Sequence, residues 1–386
     1  MKNLKNNDLI ENKNSNTLEF LLCLMTLFVQ LKSGQKIVWI ILLFIFIYEI
    51  IEFIKSDKKI QLKKLIILNS LIITVLSMCR SKYLTGIEIQ IEIYWLFFGI
   101  IMLLLTTLSK DKRLEIGDCV LNITLFIGIL DLIGMFFNND IFGLLNLPYG
   151  RGRLVGGFDG PNEIGNFMVL ILTYSLATHF YRKKIKFIEL KIIPLILCII
   201  FSWSRSALLV LIIVLIFTVV ISLKKAEKKR RNVLVIIYVL IILLTMFLAI
   251  EFIFPKFQYV RQTSSSRDYI IDSILNSDKK DLLLGTGIGS YSSVIGSVNT
   301  TPHSEYLFFL ISGGIIGVIL LLLFFCYLIS NAKRKKMYPE LYTLMVFFIV
   351  EMSFNNLIRG RISVFFWIIV YITFLYPPIS AEINGE

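Results

Sequence analysis

Five arginines and one histidine are the groups in this chain best suited to chemistry on an anionic substrate: Arg153, Arg205, Arg261, Arg267 and Arg361, with His303. A guanidinium is a planar, permanently charged fork that grips phosphate through two hydrogen bonds at once. An imidazole titrates near neutrality and accepts a proton at physiological pH. Residues of these types could hold a phosphate group and relieve a hydroxyl of its proton without a metal ion or other cofactor. The second histidine, His179, lies beside the basic run 182–184 and is given no role.

Three stretches carry these residues. The first, GRGRLVGGFDGPNEIGN (150–166), places Arg151 and Arg153 before a Gly-Gly pair and then Asp159-Gly160-Pro161-Asn162. Glycine and proline at this density make a tight connection. Asn162 is expected to cap the helix that follows, and a helix start beside arginines is a ready anion site. An ordinary turn accounts for the same residues. The second, SWSRS (202–206), squeezes Arg205 between two apolar runs. The arginine either snorkels to lipid headgroups or, with Ser202, Ser204 and Ser206, lines a polar mouth. The third is the long polar interval 255–304, with Arg261, Arg267, a glycine-rich turn (Gly285, Gly287, Gly289) and His303. Within it, TSSSRDYIIDSIL (263–275) has the spacing of a short amphipathic helix capped by Ser266. LLGTGIGSY (283–291) is too loose for a dinucleotide fingerprint and is expected to make a close backbone turn near the membrane.

The elements that position these stretches are apolar. The 386 residues are 56% hydrophobic and 17% charged, against about 25% charged in a soluble domain. Apolar runs long enough to cross about 30 Å of hydrocarbon recur along the whole chain, and they are continuous rather than alternating, which excludes a β-barrel. The expected fold is all-α: a polytopic membrane protein in which residues 1–386 form a single transmembrane domain of about 12 helices with one larger extracytoplasmic loop (255–304). The spans fall near 17–31, 37–54, 65–79, 93–108, 120–137, 164–181, 188–203, 206–223, 233–254, 305–329, 338–355 and 362–378. The first apolar run has no small-residue cleavage site and a mixed flank, and is read as a retained helix.

Net charge is +13, but its placement argues against nucleic acid as a partner. The dense basic runs RKKIK (182–186), KKAEKKRR (224–231) and KRKK (333–336) all fall in alternate connections on one side. That pattern orients the chain with both termini in the cytoplasm and 255–304 outside. Arg151, Arg153, Arg205, Arg261, Arg267, Arg359, Arg361 and His303 then all face outwards, while lysine dominates the inner loops. Headgroup contact explains any one of these arginines; the set points to an anionic ligand. The five cysteines lie in or beside apolar runs without metal-ligand spacing and read as small buried hydrophobes.

The order R-x-x-G-x-F-x-x-P-N (153–162), SxSRS (202–206), SSSR, LLGTGIGSY, PHSEYL and GGIIG (313–317) resembles the O-antigen ligase / polysaccharide polymerase (Wzy) superfamily over about 150–318. The resemblance implies glycosyl transfer from an undecaprenyl-pyrophosphate-linked oligosaccharide at the outer face of the bacterial cytoplasmic membrane, with no metal or nucleotide sugar. The acceptor is another lipid-linked repeat unit in the polymerase branch and a different surface molecule in the ligase branch. On that basis Arg153, Arg205 and Arg267 surround the pyrophosphate, Arg261, Arg361 and Asn162 add binding contacts, and His303 is the base, with Asp159, Glu163 and Asp268 in reserve. The expected partners are membrane lipids, a chain-length regulator and a flippase. A lipid-linked oligosaccharide flippase is the rival reading, supported by Asp131 and Glu351 within spans.

Overall fold

The structure, a computed structural model, describes residues 2–55, 87–137, 153–225, 243, 276, 278–288, 304–348 and 360–377. All regular structure among them is helical: α1 (Lys2–Val29), α2 (Gln35–Lys55), α3 (Ile87–Leu108), α4 (Gly117–Phe137), α5 (Pro161–Tyr181), α6 (Ile188–Ser202), α7 (Arg205–Lys225), α8 (Lys279–Leu284), α9 (Glu305–Arg334), α10 (Tyr338–Val346) and α11 (Ser363–Leu375). The expected span 65–79, the span 233–254 apart from residue 243, and the amphipathic segment 263–275 lie outside the described residues. Of the helices, α2, α4, α5 and α9 are long and apolar enough to cross a membrane; the apolar stretches of α1, α3, α7 and α11 are shorter.

α5 is the central pillar. It packs against α4, α6, α7 and α10, and nearly every side chain from Ile164 to Thr178 is buried. Being enclosed by protein rather than lipid, it can carry Asn166, Thr173, Ser175 and Thr178 along its length. Thr173 returns its hydroxyl to the Val169 carbonyl at 2.8 Å, which satisfies it within the helix. By contrast, α2 exposes Ile40, Leu43, Phe44, Ile47 and Ile51 on one face, as a helix bordering lipid would.

Contacts gather the connections into two ends. At one, the Arg182 guanidinium donates to both carboxylate oxygens of fully buried Glu340 (2.9 and 2.8 Å), and the Tyr174 hydroxyl adds a third bond at 3.1 Å. Burial disfavours the Arg182 charge, but the Glu340 carboxylate, together with Tyr174 and Tyr376, outweighs this and raises the pKa. At the same end the Tyr371 hydroxyl donates to buried Glu49 (2.8 Å), and Lys335 Nζ caps the last carbonyls of α11 at Thr373 and Phe374. The opposite end carries the turns at 30–35, 153–160 and 202–205.

α9 is not one continuous rod. Gly314 has φ 65 and ψ −167, so the helix breaks in its third turn. The carbonyls freed at Ile311 and Ser312 accept from the backbone N–H groups of Thr286 (2.8 Å) and Gly287 (3.0 Å), and Thr286 Oγ1 adds a bond at 3.1 Å. A backbone break inside a bundle survives only when its polar groups find partners in protein. The segment that follows α8 supplies them. A Cβ at Gly314 would stand 2.3 Å from the Leu283 oxygen, and one at Gly285 2.4 Å from the Ser312 carbonyl. Both positions also have positive φ, so only glycine fits. The described part of the expected close turn, residues 283–288, is therefore a clip seated in the break of α9.

Candidate functional site

α6 ends and α7 begins within two residues. Trp203 adopts the left-handed conformation (φ 53, ψ 29) as the C-cap of α6, which costs a non-glycine residue about 1–2 kcal/mol. Ser202 Oγ donates to the Ile199 carbonyl at 2.7 Å and accepts from the Ser204 N–H at 3.2 Å; Ser204 Oγ in turn accepts from the Ala207 N–H at 3.4 Å. The serines of SWSRS thus build a reversal that leaves Arg205, exposed, as the first residue of α7.

Arg153 docks on this reversal. Its Nε donates to the Ser202 carbonyl at 3.1 Å and its Nη2 to the Trp203 carbonyl at 3.4 Å. The cation therefore sits on the negative C-terminal end of α6, where the helix dipole favours it. Nη2 also donates to Asn162 Oδ1 at 3.3 Å. Here α5 approaches both helices closely: a Cβ on Gly165 would lie 2.5 Å from Ser202 Oγ at the end of α6 and 3.1 Å from Ala207 Cβ in α7. The contact is completed by Ser206 Oγ, which donates to Asn166 Oδ1 at 3.1 Å.

Asn162 is not the cap of α5. The N-cap is Gly160, in extended conformation, and Pro161 occupies the first helical position. Proline needs no N–H there and its fixed φ suits a helix start, so the helix begins two residues earlier than an Asn162 cap would start it. Glu163 Oε2 instead accepts from the Asp159 N–H at 3.3 Å, tying the first turn of α5 to the residue before its N-cap. Asn162 remains exposed beside Arg153.

Arg361 is 4% exposed and holds the same surface from below. Nη1 donates to the Gly157 carbonyl and Nη2 to the Lys32 carbonyl at 3.0 Å, with Asp159 Oδ1 3.5 Å from Nη2. The Gln35 amide oxygen, turned towards the guanidinium as its hydrogen bonds require, accepts from Nε at 2.6 Å and Nη2 at 2.8 Å. Every guanidinium nitrogen is engaged. Arg361 could reach a phosphate only by giving up one of these partners.

Arg153, Asn162 and Arg205 thus form one neighbourhood, and Arg361 is joined to it through the 157–159 turn. His303, Arg261 and Arg267 lie outside the described residues, as do Arg151, Asp268, Arg359 and Glu351. Sequence reasoning missed Gln35 and the carbonyls of Ser202 and Trp203, which lack any local signal. Asp131 lies 3% exposed just behind the turn; neither of its oxygens has a hydrogen-bond partner among the described residues, and a Cβ on Gly156 would be 2.7 Å from each. Among the described residues no three His, Cys, Asp or Glu side chains converge as metal ligands do.

Chemically, the neighbourhood presents two helix N-termini (α5 and α7), an exposed arginine and an arginine–asparagine pair. All of these favour an anion.

Residues 190–322 match the profile of a family described as O-antigen ligase. The matched segment runs from α6 through the SWSRS reversal and the clip to the broken part of α9; it covers the motifs of the resemblance from SWSRS to GGIIG, while R-x-x-G-x-F-x-x-P-N (153–162) precedes it. No curated protein matches the chain.

Proposed function

We propose that this protein is a membrane-embedded polysaccharide polymerase. It transfers a glycan from an undecaprenyl-pyrophosphate carrier to a lipid-linked repeat unit at the outer face of the bacterial cytoplasmic membrane, with both termini inside. The observation that carries the reading is the docking of Arg153 on the Ser202–Arg205 reversal, within a chain whose residues 190–322 resemble O-antigen ligases. In the reaction the acceptor hydroxyl attacks the anomeric carbon and the bond to the pyrophosphate oxygen breaks. The pyrophosphate leaves with the bonding pair, and the hydroxyl proton passes to His303. Charge grows on the leaving group as this happens, so cations fixed beside it lower the barrier. Arg153, Arg205 and Arg267 take that role, with Arg261 in support. Asn162 orients Arg153, and Arg361 holds the turn. A ligase acting on another surface acceptor would use the same machinery.

The flippase reading draws on two observations, the unpartnered carboxylate of Asp131 and the broken helix α9. Transporters place such features at mid-membrane sites open to substrate. Here Asp131 abuts the Gly156 turn, and the freed carbonyls of α9 are occupied by the clip. The two readings part on one experiment. Deleting the gene should leave single lipid-linked repeat units on the outer leaflet; their retention on the inner leaflet would mean a flippase.

A further inference from the structure

The 153–160 turn borders a second feature through Gln35. This residue faces Arg361 on one side and on the other lines a cleft of ≈ 390 Å³ between α2 and α3, together with Lys36, Trp39, Tyr94 and Trp95. The volume lies within the range of small-molecule sites, about 300–1,000 Å³. The cleft is near the starts of both helices, at the end of the bundle that carries Arg153 and Arg205. Its floor is packed aromatic: Trp39 meets Phe98 edge-on at 5.6 Å and lies tilted against Trp95 at 6.4 Å, and Trp95 is 2% exposed. In its outer wall Tyr94 is 58% exposed.

Building on the function proposed above, we infer that this cleft is a sugar subsite that takes one ring of the lipid-linked glycan while the diphosphate lies at Arg153 and Arg205. Aromatic faces match the C–H face of a pyranose, and an amide and an ammonium at the rim match its hydroxyls. An acyl or prenyl chain would call for a long aliphatic groove running down the helices, whereas this lining is aromatic and polar within two turns of the helix starts. The link through Gln35 and Arg361 makes the cleft continuous with the turn that holds Asp159 and Arg153. Tryptophan and tyrosine also collect at membrane interfaces without binding anything, and that is the alternative the test must separate.

The test uses the full-length protein in nanodiscs and two probes. One is the oligosaccharide freed by mild acid from the producing cells' own lipid-linked glycan; the other is inorganic pyrophosphate. Calorimetry should give saturable binding of the oligosaccharide, weakened about fivefold or more in Tyr94→Ala, with pyrophosphate binding unchanged. Trp39→Phe, which keeps the packing on Phe98, should weaken the sugar too. Undiminished sugar binding in both variants, or none in the parent protein, would overturn the subsite and leave an interfacial aromatic belt. Arg153→Ala should do the reverse, losing pyrophosphate and keeping the sugar; equal pyrophosphate binding there counts against the proposed catalytic site and leaves the subsite standing.

Discussion

The Arg153 guanidinium donates from Nε to the backbone carbonyl of Ser202 at 3.1 Å, across 49 residues of chain. One side chain thereby fixes the turn before α5 against the reversal between α6 and α7. The bond goes to a carbonyl that a helix C-terminus leaves without an intrahelical partner, so the cation stabilises two elements at once.

That geometry makes lysine a poor substitute. A single ammonium cannot span Ser202, Trp203 and Asn162 from one planar fork. We expect Arg153→Lys and Arg153→Ala to lower glycan transfer by about tenfold or more, the scale of losing a charge-assisted contact. Quantifying product at matched protein levels checks this. Full activity in the lysine variant would show that charge alone suffices.

The clip in α9 depends on two glycines. Gly314→Ala must either clash with the Leu283 carbonyl or abandon a conformation reserved for glycine, at a cost of about 1–3 kcal/mol in strain alone. The thermal midpoint should fall, and Gly285→Ala should behave alike. Ile315→Ala, at an exposed neighbouring position, is the control and should have a smaller effect.

Glu340 holds the opposite end of the bundle together. Removing the carboxylate strands a largely buried guanidinium, and breaking such a pair costs about 3–5 kcal/mol. Glu340→Ala should therefore reduce stability and yield. The protein that does fold should transfer glycan at a near-normal specific rate, because this ion pair lies at the end remote from Arg153. A specific rate that fell with stability intact would assign Glu340 a part in the reaction.

Asp131 separates transfer from transport. Its oxygens have no hydrogen-bond partner among the described residues, so Asp131→Asn should leave transfer unchanged and keep or raise the thermal midpoint. Loss of surface glycan with transfer in vitro intact would instead make the carboxylate a transport group.

Much of the helical layout was legible because long apolar runs and Gly/Pro punctuation are local signals. The expected spans 37–54, 120–137 and 164–181 coincide with α2, α4 and α5 to within a few residues. Asn162 misled because its side chain is a good cap, while the proline before it fixes an earlier start. The break in α9 was hidden: GGIIG sits in an apolar run, and its conformation depends on a clip from 25 residues upstream. α8, with six residues, was too short to register. The sequence placed Arg153 beside the SWSRS stretch only through a shared face and through the resemblance, which puts Arg153 and Arg205 around one pyrophosphate. The bond itself, like the ties of Arg361 to Gln35 and Gly157, arises from tertiary approach that no spacing encodes.

Reconstitution tests the central claim most directly. The purified protein is placed in liposomes with the undecaprenyl-pyrophosphate-linked repeat unit as its sole glycan, without nucleotide sugar. The account predicts products of two and more repeats, lost in both Arg205→Ala and Arg267→Ala at unchanged protein content. Absence of any coupled product from the intact protein, or undiminished coupling in both arginine variants, would contradict it.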